Sequence, residues 1–476
     1  MDRIKQSFEP KTIPLHHQIE AINYITEREF SALFDEQGLG KTKIVIDSLC
    51  FSLKQGIIDA VLVVAPLTLL YNWEQEVRKH SYLFPIVFRG TKREVRYKIL
   101  TGANFYIINY EMVLFQLERI KRFCKSKNMA IVLDEASRIK SPSAKVTKAI
   151  LELSPLSKKR IIITGTPIAN KPIDLWALFY FLDQGKLLGD DFNNFRKKLD
   201  EKSSDYIDNL SEIQKVIDKS SIRRLKHNVL ELPEKVFHTV EVELENKQSE
   251  LYVELKENLK IEITNLDGKI IIDESNVIVK KLLRLIQIAC NPYLLNKTYS
   301  ETPAKFKKLD EMLIEITKQG DKAIIWTSFI ENIIILKDRY KQFKPLTIYG
   351  EMPISERPLI VNKFQESCEN KIMIANPAAA REGLTLTKAN HAIYLDRSFN
   401  LIDYLQSQDR IHRISQTKKC NIYKLIAKDT IDEYVDRIID LKTDIAGFVQ
   451  SDKENISLKS IDTLFNKQAL LKLLGG

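Results

Sequence analysis

The sequence predicts an α/β protein with two parallel-sheet domains in tandem, a helical insertion between them and a helical extension at the C-terminus. Three observations predict it. Continuous apolar runs of strand length recur between longer amphipathic stretches, first in residues 1–191 and again in residues 301–445. The segment 192–300 between them is charged and helical in pattern. Polar and glycine-bearing turns cluster where the apolar runs end, which is where parallel sheets bind ligands. With 476 residues the chain is long enough for two or three domains, each with a core of its own.

In the first domain VLVVAP (Val61–Pro66), FYIINY (Phe105–Tyr110), MAIVLDEA (Met129–Ala136) and RIIITGTP (Arg160–Pro167) read as buried strands. In the second domain AIIWTSF (Ala323–Phe329), LTIYG (Leu346–Gly350), KIMIANP (Lys371–Pro377) and HAIYLD (His391–Asp396) read the same way. Residues 446–476 are expected to form the C-terminal helical extension.

Composition narrows the class. Hydrophobic residues make up 44% and charged residues 29%, which is the balance of a folded globular chain. Seventy-three Lys and Arg against 63 Asp and Glu leave a net charge of +10, compatible with a polyanionic partner. The five cysteines form no C-x-x-C pair, which argues against a zinc site or a disulfide framework and suits a reducing compartment. The start, MDRIKQSFEP, has no apolar core of a secretory signal, and the longest apolar run, Ala60–Tyr71, is too short to span a bilayer. The expectation is a soluble intracellular protein with no membrane partner.

The stretch FDEQGLGKTK (Phe34–Lys43) ends like a phosphate-binding loop. Gly38 and Gly40 allow a tight turn that aims N–H groups at phosphate oxygens, together with that of Leu39. Lys41 is placed to reach the β and γ phosphates, and Thr42 to hold magnesium. The general loop pattern has glycine five positions before Gly40, where this chain has Asp35. A second element, VLDEAS, puts Asp134 and Glu135 at the end of an apolar strand, 93 residues after Lys41. A carboxylate there can hold magnesium through water while its neighbour polarises the attacking water. A third element, QSQDRIHRISQ, spaces Arg410 and Arg413 three apart, as on one helix face, from which guanidinium groups could stabilise transition-state charge. Standing alone it reads more readily as a solvated basic face.

Together these motifs resemble the Swi/Snf family of superfamily-two helicase-like ATPases, the double-stranded DNA translocases, in a compact bacterial, phage or viral form. DEQGLGKT, APLTLLYNW (Ala65–Trp73), INYE (Ile108–Glu111), DEASRIKS and TGTPIANKPIDLWALFYFL are similar to its successive motifs. So are RRLKHNVL–ELPEK (Arg223–Lys235), LYVEL and IACNPYLL in the connector, then WTSF, EGLTLTKAN (Glu382–Asn390) and DRIHRISQ. The likeness runs from about Leu15 to Glu433. It departs at LHHQ, which lacks an arginine many members carry before the glutamine, and at Arg381 and Glu382, where a glycine-rich turn is usual.

The resemblance implies two RecA-like domains, ATP and Mg2+ as cofactors, and an ATPase that moves along double-stranded DNA without separating strands. It implies that Gln18 contacts adenine, that Lys41, Thr42, Asp134 and Glu135 handle phosphates, metal and water, and that Arg410 and Arg413 act from the second domain. It assigns coupling of nucleotide to DNA to Thr164, Gly165, Thr166, Gln406 and Gly383. Candidate DNA contacts are Pro66, Thr68, Asn109 and Tyr110, then Thr327, Ser328 and Gly350; local capping explains such turn residues equally well. The clusters Arg196–Lys198 and Arg223–Lys226 read as further contacts or as solvated faces, and Trp73, Trp176 and Trp326 as core. The competing functions are a strand-separating DNA or RNA helicase and an ATP-gated switch subunit of a defence or transcription complex, with a nuclease or methyltransferase as partner. A bacterial, phage or viral source implies a cytoplasmic site of action, a eukaryotic one a nuclear site.

Overall fold

The computed structural model describes residues 10–453 apart from 91, 100, 169–170, 201–202, 266–274, 354 and 380–383. The chain divides into two compact units, one running through Glu231 and joined by the segment from Ile445, the other running from Leu232 to Asp444. Each has its own sheet and its own core.

The first unit is built on seven strands in the order β3-β4-β2-β5-β6-β1-β7. These are β1 Phe30–Leu33, β2 Ala60–Ala65, β3 Pro85–Val87, β4 Phe105–Asn109, β5 Met129–Asp134, β6 Lys159–Ile163 and β7 Ser221–Ile222. Neighbouring strands pair in parallel throughout. The central strand β2, AVLVVA, is buried at every position, as a strand covered on both faces must be. Val61, Val63, Ala130, Val132 and Ile161 from the sheet pack with Ile44, Val45 and Leu49 of the helix Lys41–Lys54 and Trp73 of the helix Leu70–His80. Each Val, Ile and Leu side chain among them contributes roughly 1.5–3 kcal/mol by leaving water.

Register decides where the motifs meet. Leu33 lies opposite Ile163 and Ile222, Ile163 opposite Asp134, and Ala65 opposite Asn109. The segments that leave β1, β2, β4, β5, β6 and β7 therefore emerge along one carboxyl edge.

The second unit holds six parallel strands in the order β10-β11-β9-β12-β13-β8. They are β8 Lys235–Val242, β9 Ala323–Trp326, β10 Leu346–Ile348, β11 Ile372–Ala375, β12 His391–Tyr394 and β13 Cys420–Ala427. Its core gathers Leu309, Leu313, Ile325, Ile374, Ile393 and Leu425.

Two parallel α/β sheets are thus present as expected, while the segment 192–300 is more mixed than its helical pattern implied. It contains the helices Tyr206–Ser220, Asn246–Asn265 and Ser275–Cys290, but also β7 and the eight-residue β8. β8 is an edge strand with alternating burial, so VFHTVEV never shows a continuous apolar run. The expected C-terminal extension lies outside the described residues from 454 on; its start is the end of the helix Ile431–Val449. No helix among the described residues is long and apolar enough to cross a membrane.

Candidate nucleotide site

Phe34 to Gly40 leave β1 as a loop and enter the helix Lys41–Lys54 through two glycines with positive φ, Gly38 at 93° and Gly40 at 80°. A side chain is strained there. Gly40 is also needed for space, because a Cβ on it would lie 2.3 Å from Nε2 of Gln18. That amide donates to the Leu39 carbonyl at 3.2 Å, and its Oε1 accepts from the Leu15 N–H at 3.0 Å. Gln18 is buried, as is Leu39, so the glutamine that the resemblance assigns to the base is packed on the loop itself. Gly40→Ala should force the Gln18 amide away and cost roughly 1–2 kcal/mol in backbone strain. A lower urea midpoint together with weaker nucleotide binding by titration is the expected result.

The Lys41 ammonium donates to the carbonyls of Asp35 at 2.8 Å and Glu36 at 3.0 Å. Burial pushes its pKa below the usual lysine range, while the carboxylates of Glu135, Asp35 and Asp134 pull the other way. Thr42 follows in the first turn of the same helix, partly exposed.

Asp134 ends β5. Its Oδ2 accepts from the indole N–H of Trp73 at 2.7 Å and its Oδ1 from the Glu135 N–H at 2.9 Å. The Tyr110 hydroxyl donates to the Asp134 carbonyl at 2.7 Å. Burial raises the Asp134 pKa against these hydrogen bonds and the Lys41 charge. Glu135 is held at φ 48°, a left-handed backbone that a glutamate adopts only at a cost. Its charge is the first among the carboxylates acting on Lys41.

Thr164 and Gly165 complete the edge. Thr164 N–H donates to the Leu33 carbonyl at 3.2 Å, and its Oγ1 accepts from the Thr166 N–H at 3.1 Å. A Cβ on Gly165 would stand 3.2 Å from Cγ of Gln37 and 3.5 Å from the Asp35 carbonyl. The turn after β6 therefore lies against the loop after β1. The oxygen donors of Thr42 and Asp134, beside a partly buried ammonium, fit a hard divalent cation with phosphates.

Asp35, the departure from the general loop pattern, is fully buried and paired through both oxygens with the guanidinium of Arg224, with Nε to Oδ1 at 3.0 Å. Arg224 also donates to the His17 carbonyl. Arg223 donates to the Phe34 carbonyl at 2.6 Å, and the Glu36 carboxylate accepts from the Lys226 N–H. The cluster 223–226 is therefore bound to the loop rather than forming a solvated face. Arg196–Lys198, by contrast, lie exposed at the end of the helix Phe192–Lys198.

Several candidate DNA contacts have side chains turned to partners within their own unit. Pro66 is buried, and Tyr110, 1% exposed, has its hydroxyl committed to Asp134. Asn109 is buried with its amide on Glu111 at 2.9 Å. In the second unit Thr327 is fully buried, its hydroxyl donating to Asp396, whose other oxygen accepts from the Ser328 N–H at 2.8 Å. These residues shape the turns. Thr68, Ser328 and Gly350 keep exposed or partly exposed positions.

Arg410 and Arg413 do not share a helix face. The helix Leu401–Gln408 ends before them, and both lie in the turns that follow. Arg410 is 1% exposed, its carbonyl accepting from the Leu386 N–H at 2.9 Å. Arg413 is partly exposed, with Nη1 on the Thr385 hydroxyl at 2.9 Å and Nε on the Asp409 carbonyl at 3.0 Å. Gln416 fixes the turn by donating to the carbonyls of Thr387, Ala389 and Ile411. Gln406 is buried in the helix, and Gly383 lies outside the described residues.

Sequence reasoning missed Trp73 and Arg224 as parts of the site. A buried indole N–H needs an acceptor, and the strand-end Asp134 was the available signal. All three tryptophans do belong to the buried interior.

Comparison with known proteins finds two family matches in chain order, the first reaching past Glu231 into the second unit. Residues 17–294 match the family described as the SNF2-related domain, and residues 304–415 match the helicase conserved C-terminal domain. The chain is 29% identical over 457 residues to the CHD3-type chromatin-remodeling factor CHR7 of Arabidopsis thaliana, covering 88% of this chain and 36% of that protein. It is 28% identical over 472 residues to the putative ATP-dependent helicase/translocase YwqA of Bacillus subtilis, covering 94% of this chain and 50% of that protein. The chain thus spans half or less of the length of these curated relatives. Among solved structures it is similar to the Sulfolobus solfataricus SWI2/SNF2 ATPase core in complex with dsDNA, with 30% identity, 94% of each chain covered and a TM-score of 0.45.

Proposed function

We propose, on the premise that this chain belongs to the SNF2-related family, that it hydrolyses ATP to ADP and phosphate and uses the energy to move along double-stranded DNA without separating its strands. The observation that carries the ATP half is the shared carboxyl edge of the first sheet. It brings Lys41, the Asp134–Glu135 pair and the Thr164–Thr166 turn against one glycine-bearing loop at a helix N-terminus.

In this reading the phosphates take the Lys41 ammonium from the Asp35 and Glu36 carbonyls, and the loop N–H groups bind oxygens that carry the negative charge. Thr42 and Asp134 would hold Mg2+, which when bound neutralises charge on the phosphate oxygens. Trp73 and the Glu135 N–H orient the Asp134 carboxylate, and Glu135 accepts the proton of the attacking water. Arg413, by its partial exposure, is a better transition-state cation than the buried Arg410.

Duplex DNA as the track rests on the family and is supported by the +10 net charge. Phosphate contacts at strand-end turns carry no base information, which suits a motor indifferent to sequence. Thr68, Ser328 and Gly350 are the candidate contacts that have the exposure for it. The test is an ATPase panel at two salt concentrations with duplex DNA, single-stranded DNA and single-stranded RNA. Strong stimulation by duplex DNA, with triplex displacement and no duplex unwinding, is expected. Preference for single-stranded RNA, or unwinding of a duplex, would replace this reading with a strand-separating helicase.

A further inference from the structure

The phosphate loop has a second tether besides its own glycines. Ser221 to Lys226 run beside Phe34 to Glu36 like a continued strand pair. Phe34 N–H donates to the Ile222 carbonyl at 2.9 Å and Glu36 N–H to the Arg224 carbonyl at 3.1 Å. Side chains lock the zipper, with Arg224 on Asp35 and Arg223 on the Phe34 carbonyl. The carbonyls of Asp35 and Glu36, placed by this pairing, are the two that hold the Lys41 ammonium.

Arg223 has another partner in the same unit. Its Nε and Nη2 donate to the two carboxylate oxygens of Asp452 at 2.8 and 2.6 Å. Asp452 sits in a turn closed by its own N–H on the Gly447 carbonyl at 2.8 Å. That turn is anchored on the helix Tyr206–Ser220. Ser451, at φ 59°, donates its hydroxyl to the Asp218 carboxylate at 2.7 Å, and Gln214 donates to the Phe448 carbonyl at 3.0 Å. Arg223 and Asp452 keep side-chain exposures of 13% and 21%, so the bidentate pair is partly shielded from water.

We infer that Asp452 is a positioning residue for the nucleotide site: through Arg223 it fixes the Phe34 carbonyl and with it the entry of the phosphate loop, so the turn 447–453 tunes nucleotide affinity from outside the site. The inference rests on the ATP reading above. The order of action is Asp452 to Arg223, Arg223 to the Phe34 carbonyl, and the adjoining carbonyls to Lys41. A loop end released by Arg223 no longer presents N–H groups in one geometry, so nucleotide binding has to order it first and loses affinity.

The experiment titrates the full chain with a fluorescent ADP and follows ATP hydrolysis. Asp452→Asn keeps the shape and removes the charge. It is expected to weaken nucleotide binding and raise KM roughly three- to fivefold, with kcat unchanged and the melting temperature within about 2 °C of the parent. Asp452→Glu should retain parental affinity. Asp452→Asn added to Arg223→Ala should produce no further loss, because the relay is already broken. A melting temperature lowered with affinity intact would reduce the pair to a structural latch and overturn the inference, as would losses that add in the double variant. Lys41→Ala separates this from failure of the underlying reading. Parental binding that Lys41→Ala removes upholds the ATP site whatever Asp452 does, whereas no binding by the folded parent overturns both.

Discussion

Replacing Lys41 by alanine is expected to reduce ATP turnover by about 10²–10³-fold, the scale on which a single preorganised donor to a charged transition state acts. The structure adds a distinction between Lys41→Ala and Glu135→Gln. Lys41 is the partly buried cation held on the loop carbonyls, so its loss removes binding and hydrolysis together. Glu135 stands outside the loop on a strained backbone, and its amide analogue keeps size while losing basicity. Glu135→Gln should bind nucleotide as well as the parent or better and hydrolyse it roughly 10²–10⁴-fold more slowly. Single-turnover hydrolysis and nucleotide titration on the same preparations check both. Equal losses of binding in the two variants would refute the division of labour.

How much of this could be read in the chain depends on whether a residue's partner is near in pattern. Apolar strands announce themselves, so β2, β4, β5 and β6 and the motifs at their ends lie where VLVVAP, FYIINY, MAIVLDEA and RIIITGTP place them. β7 has two residues and β8 is polar on alternate positions, so neither carries a run long enough to read. Strand order also changes what the motifs mean. Tyr110 and Thr327 are polar residues at strand-end turns, which suggests contact with phosphate. Each instead has a hydroxyl satisfied at another strand's end, for Tyr110 two strands away across β2, and the sequence offers no sign of which strand that is. Arg410 and Arg413 show the limit of spacing arguments. A helical period does not carry past Gln408, where the helix stops, and the burial of Arg410 follows from the turn instead.

The position that looked like a defect in the loop is where the second large effect is expected. Asp35 replaces a glycine of the general pattern and is fully buried, so its carboxylate is sustainable only with a partner of equal permanence. Arg224 supplies it, 9% exposed and bidentate, and the pair is separated by 189 residues in sequence. A buried pair contributes little net stability, since desolvation offsets most of the attraction, but breaking it leaves a charge with nothing to balance it. Arg224→Met should therefore destabilise the first unit by about 3–5 kcal/mol, seen as a lowered urea midpoint for the transition that reports Trp73 and Trp176. Asp35→Asn in the same chain removes the stranded charge and should restore more than half of that loss. Arg224→Met and the double variant unfolding at the same denaturant concentration would locate the cost in lost packing rather than in the carboxylate. Restoration would mean that the aspartate in DEQGLGKT is a fastening point for the connector, and that the loop's shape is set as much by residues 223–226 as by its glycines.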